Sequence, residues 1–301
     1  MKFLHLKHQE IDKEKWNQVV DNTPIAFPWM RSGYLDIVAP KWQAIVAEDY
    51  SYVLPLPVRK RAGISYVYPA DYTQQMGVFG EHIASEETVD QMLEIAVSSF
   101  KFLEINLNYH NHFHFTKGKS KRRRNFELSL NRSHADLMKG YHHNTRRNVK
   151  KAAKFNLRIK KVDSPTNTIE LFNSNKGKKS SIDIKEELLL QLVDYGLDQK
   201  CIEIREVWDE QEAIGGAIFF QEGIRKVFLF SGLSKAGRNM QGMFYLIDHL
   251  IQEHADTSTI LDFEGSDDAN LGKFYQRFGA EEKLYLQLKV NRLPIAIRWL
   301  K

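Results

Sequence analysis

The order in which hydrophobic periodicity changes along the chain is the strongest constraint on its fold. From Ser133 a helical spacing of apolar residues (Leu137, Tyr141, Val149) runs to about Lys154. A strand-like stretch follows at 157–162, then helical spacing at 168–175 and 185–198. Three successive strands come next, Ile202 to Val207, Glu212 to Gln221 and Ile224 to Gly232, the first two joined by a turn at Asp209-Glu-Gln. A helix (Asn239 to His254), a strand (Thr259 to Phe263), a helix (Ala269 to Phe278) and a last strand (Leu284 to Val290) complete the series. The first half has a similar order. A strand lies within 1–12, and Asp12 caps a helix through Trp16 and Val20. A short helix at 32–38 leads to strands at 43–48, 51–58 and 64–68. A helix opened by Ser85 carries Val89, Met92, Leu93, Ala96 and Val97 on one face, and strands follow at 102–107 and 125–130. No residue-level repeat relates the halves. At roughly 150 residues per domain, 301 residues fit two related α/β (α+β) units, 1–132 and 133–301. Each is expected to hold a mixed, mostly antiparallel sheet flanked by helices.

With 43% hydrophobic and 12% aromatic residues the chain can build a sizeable core, which excludes a disordered chain or a fibre. The single cysteine, Cys201, allows no intrachain disulfide and fits a reducing compartment. It is expected to be a buried structural thiol. No stretch approaches the ~18 apolar residues of a membrane span, and residues 1–7 lack a long apolar run. The expectation is a cytoplasmic protein.

Charge is unevenly placed. Between Lys117 and Lys161 there are sixteen Lys or Arg and two acids, Glu127 and Asp136, although the whole chain carries only +5. One cluster, Lys117 to Arg124, is expected on a loop. The other, Arg146, Arg147, Lys150, Lys151 and Lys154, forms a cationic stripe at helical spacing. Such a stripe is either a solvated helix face or an attractor for a polyanion such as tRNA or an anionic surface. His110, His112 and His114 alternate and would share one face of a strand, with no nearby acid or thiol to complete a metal site. No metal is expected.

Two stretches carry candidate chemistry. In Ser231-Gly-Leu-Ser-Lys-Ala-Gly-Arg-Asn-Met-Gln-Gly242 an apolar strand ends and a glycine-containing loop enters a long helix. A helix N-terminus with Arg238 beside it suits a phosphate or pyrophosphate. In Asp262-Phe-Glu-Gly-Ser266 two acids share one face of a strand end, and Tyr275 lies on the next helix, which Gly279 terminates. Acids and a tyrosine so placed can take a proton from an amine and give one to a leaving group. The plainer reading has Phe263, Phe274 and Phe278 filling the core while the acids cap and solvate.

This order of elements resembles the GNAT fold of N-acyltransferases, and Phe274-Tyr-Gln-Arg-Phe-Gly279 looks like the late helix of that superfamily. The FemAB-like branch, two GNAT-type domains in tandem, is closer still. It shares the Asp262-Phe-Glu-Gly-Ser266 strand end and the pattern His143-Asn-Thr-Arg-Arg-Asn-Val-Lys-Lys-Ala-Ala-Lys154. The match covers roughly 135–290; the first half matches in length and element order only.

The resemblance implies an N-acyltransferase moving an acyl or aminoacyl group, from acyl-CoA or aminoacyl-tRNA, to a small or peptide-like amine by direct attack. Tyr275 would be the general acid, Glu264 the amine-side base or orienter, and Asp262 the second candidate. Ser231 and Gly232 would steady the oxyanion, and Arg238, Asn239, Gln241 and Gly242 would face the donor's phosphates. Arg146, Arg147, Lys150 and Ser266 would contact substrate. One departure stands out: Arg238-Asn-Met-Gln-Gly-Met243 puts glycine one place late and methionine where GNAT loops carry a small residue. That departure fits the FemAB-like branch, and also the alternative of a non-catalytic GNAT-like module gripping an anionic partner through 117–161.

Overall fold

The computed structural model describes residues 1–175, 184–265 and 267–295. Its contacts divide the chain into two units, Met1–Arg124 with Leu284–Lys301, and Asn125–Lys283.

In the first unit β1 (Phe3–Leu6), α1 (Lys13–Asn22) and α2 (Ser32–Val38) precede β2 (Gln43–Ala47) and β3 (Tyr52–Leu56). The stretch expected as one strand over 51–58 breaks at Pro57, which has no N–H for a ladder, and β4 (Val58–Arg61) joins a different sheet. After β5 (Ile64–Val67) and β6 (Phe79–Gly80), α3 (Glu86–Ser99) starts at Ser85, whose hydroxyl accepts from the Thr88 N–H, and buries the five apolar residues its spacing singled out. One sheet has the antiparallel order β1–β2–β3–β6. In the other, β5 runs parallel to β7 (Phe102–Asn106). Trp16, Trp29 and Trp42 are fully buried, with Trp16 edge-on to Trp42 at 4.7 Å.

The three alternating histidines do not sit on a strand. Asn108 donates to the Met76 and Val78 carbonyls, and Asn111 to Val78 (2.9–3.0 Å), so side chains take the place of a ladder and hold this segment as a loop. His114 Nδ1 lies 3.2 Å from Glu86 Oε2. The basic run expected on a loop is instead the start of an extended strand, β8 (Lys119–Ser129). Strand formation depends on pairing context more than on composition, which is why this segment reads wrongly from sequence.

The second unit opens with two helices where one was expected. α4 (His134–Gly140) is capped by Ser133 and ends at a glycine, a poor helix former. Tyr141 and His142 are extended, and α5 (His143–Ala152) starts afresh with the His142 ring accepting from the Asn144 N–H. The break anchors Tyr141: its ring packs edge-on to Phe278 at 5.3 Å, and its hydroxyl donates to Asp248 at 3.0 Å. Then follow β9 (Arg158–Val162), α6 (Thr166–Asn175), α7 (Glu186–Asp198), β10 (Ile202–Trp208), β11 (Ala213–Glu222), β12 (Arg225–Leu233), α8 (Lys235–Asn239), α9 (Gly242–His254), β13 (Ile260–Asp262) and α10 (Ala269–Gln276). β14 (Glu281–Asn291) begins here, and from Gln287 to Asn291 it pairs antiparallel with β7 in the first unit's second sheet.

The second unit's sheet has the order β8–β13–β12–β11–β10–β9, antiparallel throughout except for the parallel pair β12/β13. It is the expected mixed, mostly antiparallel sheet. Phe126, Leu128, Phe219, Leu246, Ile247, Leu250, Phe263 and Phe278 form its core, where α9 and α10 pack. Among the described residues no helix is long and apolar enough to cross a membrane.

Candidate active site

The site begins where two parallel strands part. β13 pairs with β12 only over Arg225–Val227 and ends at Asp262, whereas β12 continues to Leu233. Opposite β11 the ladder shifts so that Ile218 faces Phe230 and Phe219 faces Phe228, leaving Leu229 as the extra residue of a bulge. Past the splay, β12 presents alternate N–H and C=O groups that no described strand pairs on that side.

Beyond β12 the chain turns tightly. The Ser234 hydroxyl accepts from the Gly237 N–H at 2.9 Å, and Gln241, at φ +63°, lies in the left-handed region between α8 and α9. Arg238 Nη1 donates to the Leu233 carbonyl at 3.1 Å, which ties its guanidinium to the strand end. Glycine is needed at two places here: a Cβ on Gly232 would collide with the Thr168 carbonyl of α6, and one on Gly237 with the Ile214 carbonyl.

These elements enclose an open cavity of about 530 Å³. β12 contributes Phe228, Ser231, Gly232 and Leu233, the α8–α9 turn Gly237, Arg238 and Gln241, and α9 Met243 and Phe244. α10 contributes Leu271, Phe274 and Tyr275, and α6 covers one side with Leu171 and Phe172. The walls are mainly apolar, with polar groups at few points, which is the usual character of a small-molecule site.

Tyr275 is 4% exposed, its ring stacked on Phe263 at 4.7 Å. Among the described residues its hydroxyl has no hydrogen-bond partner. Burial, with the negative charges of Glu264 and Asp262 behind it, pushes the phenol far above its ordinary range, so it stays a proton donor. Glu264 sits just past the end of β13 at φ +49°, a backbone conformation that costs about 1–3 kcal/mol and recurs at functional sites. Burial and then the Asp262 charge raise its carboxyl well above the usual carboxylate range. No described residue bonds or pairs with that carboxyl.

Asp262 is occupied otherwise. It is fully buried, with Oδ2 2.6 Å from Arg225 Nη1 and Oδ1 accepting from the Glu264 N–H at 2.9 Å. Glu127, directly opposite Asp262 across β8/β13, accepts from the same Arg225 nitrogen at 2.7 Å. Asn125 donates to Glu127 at 3.2 Å and accepts from the Gly265 N–H at 2.8 Å. Burial, then Asp262, raises the Glu127 carboxyl against the opposing pull of Arg225.

The residues singled out from sequence therefore separate. Tyr275, Ser231, Gly232, Arg238 and Gln241 line one cavity, with Glu264 close enough behind Tyr275 to act on it electrostatically. Asn239 and Gly242 lie in the same turn but do not line it: the Asn239 carbonyl accepts from Lys151 Nζ at 3.2 Å, and Gly242 starts α9. Arg146, Arg147 and Lys150 are on α5, away from the lining. Arg146 donates to the Lys139 carbonyl at 3.1 Å, whereas Arg147 and Lys150 are exposed and without acidic partners among the described residues. Ser266 lies outside the described residues. Cys201, expected to be buried, is only half-buried between α7 and β10, off the cavity. Among the described residues no group of three His, Cys, Asp or Glu is placed to hold a metal ion.

Sequence reasoning missed the aromatic and aliphatic walls, because their spacing reads as ordinary core. It also missed Asn125, Glu127 and Arg225. The one sequence signal was polar residues alternating with Phe126 and Leu128 on an otherwise apolar strand.

No family model matches the chain, and no curated protein matches it. Solved structures do. FemX superposes with a TM-score of 0.68 over 95% of this chain and 97% of its own, at 12% identity. A tandem GNAT protein from the clavulanic acid biosynthesis pathway gives 0.55 over 97% and 99%, at 10% identity. L-PGS from Bacillus licheniformis gives 0.55 over 96% and 94%, also at 10%. At such identities the likeness is one of fold: the chain has the tandem GNAT fold. The fold likeness agrees with the FemAB-like sequence resemblance carried by Asp262-Phe-Glu-Gly-Ser266 and Phe274-Tyr-Gln-Arg-Phe-Gly279.

Proposed function

We propose that the second unit is an N-acyltransferase site, in which an amine attacks a donor carbonyl held between the splayed β12 and β13. The observation that carries this reading is the Tyr275 hydroxyl, without a partner among the described residues, on a mainly apolar cavity with the high-affinity proton acceptor Glu264 behind it. Glu264 as carboxylate takes a proton from the incoming ammonium group, and the freed nitrogen lone pair forms the C–N bond. The open N–H groups of β12 past the Leu229 bulge stabilise the oxyanion. As the intermediate collapses, the bond from carbon to the leaving sulfur or oxygen breaks, and Tyr275 gives that atom its proton. Arg238 and Gln241 stand where a donor's phosphates would lie. The turn lines the cavity and does not fill it, which favours catalysis over a purely binding module.

Two donors suit this arrangement, acyl-CoA and aminoacyl-tRNA. The exposed cations Arg147 and Lys150 on α5, with Lys154 in the turn just after it, favour a large polyanionic donor. Lys151 ties the same helix to Asn239 beside the Arg238 wall. Thermal-shift titrations with acetyl-CoA, CoA and aminoacyl-tRNA test the reading, followed by turnover with Tyr275→Phe. Stabilisation by one donor, with turnover that the substitution cripples, is the expected result. Stabilisation with turnover indifferent to Tyr275 would sink it.

A further inference from the structure

We infer that Asn125, Glu127, Arg225 and Asp262 act together as a positioning network that fixes the backbone at Glu264 and holds the Asp262 charge beside its carboxyl. The inference rests on the acyltransferase reading for its purpose but on geometry for its existence.

Three strands bring these residues to one point. Glu127 and Asp262 face each other across β8/β13, a like-charge pair that destabilises a sheet unless something intervenes. Arg225 intervenes: one of its nitrogens sits 2.7 Å from Glu127 and 2.6 Å from Asp262, and all three side chains are at least nine-tenths buried. Two carboxyls share one guanidinium nitrogen, so its charge is divided between them.

The network also fixes the backbone. Asp262 Oδ1 holds the Glu264 N–H, Asn125 Oδ1 holds the Gly265 N–H, and the Phe126 carbonyl holds the Phe263 N–H at 2.9 Å. Three consecutive amides are thus gripped from β8 and β13, and the left-handed Glu264 is what that grip sustains. A core that needed only packing would place apolar residues at 125, 127, 225 and 262, since an isosteric apolar set is often as stable as a buried ion network.

The consequence is chemical. Glu264, just past the end of β13, feels the Asp262 charge and acts on Tyr275 of α10, while Asp262, Arg225 and Lys283 act on Glu127. With Arg225 already claimed by two carboxyls, Glu264 becomes the group that accepts a proton from an arriving ammonium ion. The N–H bond breaks and the O–H bond forms.

The test needs no substrate. Carbon-detected NMR of carboxyl-labelled protein follows the Glu264 titration, assigned by its loss in Glu264→Gln. In the wild type its midpoint should lie well above that of an ordinary glutamate. Asp262→Asn keeps an Oδ1 acceptor for the Glu264 N–H but removes the charge, and should lower the midpoint by a unit or more. Glu127→Gln leaves Arg225 to Asp262 alone, and should lower it by less. An ordinary midpoint in the wild type overturns the inference, and so does a folded variant of either kind with an unchanged midpoint. Shifted midpoints in a protein without transferase activity would keep the network and remove the acyltransferase reading.

Discussion

Tyr275 and Glu264 differ in how their roles can be separated by single substitutions. Tyr275→Phe keeps the ring stacked on Phe263 and removes only the proton donor, so donor binding should persist while turnover falls about 10²–10⁴-fold, read as kcat against KM. Glu264→Gln has a stability signature as well. A carboxyl whose folded affinity for protons exceeds its unfolded affinity stabilises the protein fully below pH ~4.3, and that contribution is lost as pH rises toward the folded value. Glu264→Gln should therefore be more stable than the wild type at pH 8, with the difference shrinking toward zero near pH 4, as chemical denaturation at several pH values would show. Cys201→Ala should leave turnover intact, because the thiol lies off the cavity. At these positions residue type carried real information: Tyr275 and Glu264 were visible as an acid–tyrosine constellation. Asp262 was the second candidate in sequence, sharing a strand face with Glu264, and only the Arg225 guanidinium at 2.6 Å shows that it is engaged elsewhere.

Two glycines and one helix decide how the elements meet around the cavity. Gly232 lets α6 approach β12 so closely that any side chain would strike the Thr168 carbonyl, a backbone atom that cannot yield. Gly232→Ala should cost about 1–3 kcal/mol, lowering Tm by roughly 2–4 °C per kcal/mol, and should open the Leu171–Phe172 wall. Arg147 and Lys150 on α5 and Lys154 just past its end are exposed, with no acid on the helix to answer them. Changing all three to Gln should weaken binding of a tRNA donor and flatten its salt dependence by about one log–log unit per charge removed, while acetyl-CoA binding stays unchanged. The α5 stripe was legible because helical spacing alone aligns it. The break between α4 and α5 was not, since it follows from anchoring Tyr141 to Phe278 and Asp248, far away in the chain.

For the molecule as a whole, the second unit's mixed sheet has one parallel pair, whose strands part at Asp262, and the fold likeness to FemX spans nearly the entire chain. Acetyl-CoA at about 100 times its dissociation constant should stabilise the protein by roughly 2.7 kcal/mol. An absent shift at millimolar ligand, together with a shift on adding aminoacyl-tRNA, would assign the donor to RNA.

Local pattern sufficed for most of the element order, the α/β class and the strand–turn–helix units around Ser231–Gly242 and Asp262–Tyr275. Those depend on side-chain periodicity, caps and turn residues, which act over a few positions. The cavity walls, the Arg225 network and the pairing of β14 with the first unit's β7 depend on which distant segments pair. Glu127 and Asp262 are 135 positions apart, and no local rule specifies that a strand pairing will bring two carboxyls onto one guanidinium. Only the folded sheet, where a buried charge left unpaired is costly, makes that choice.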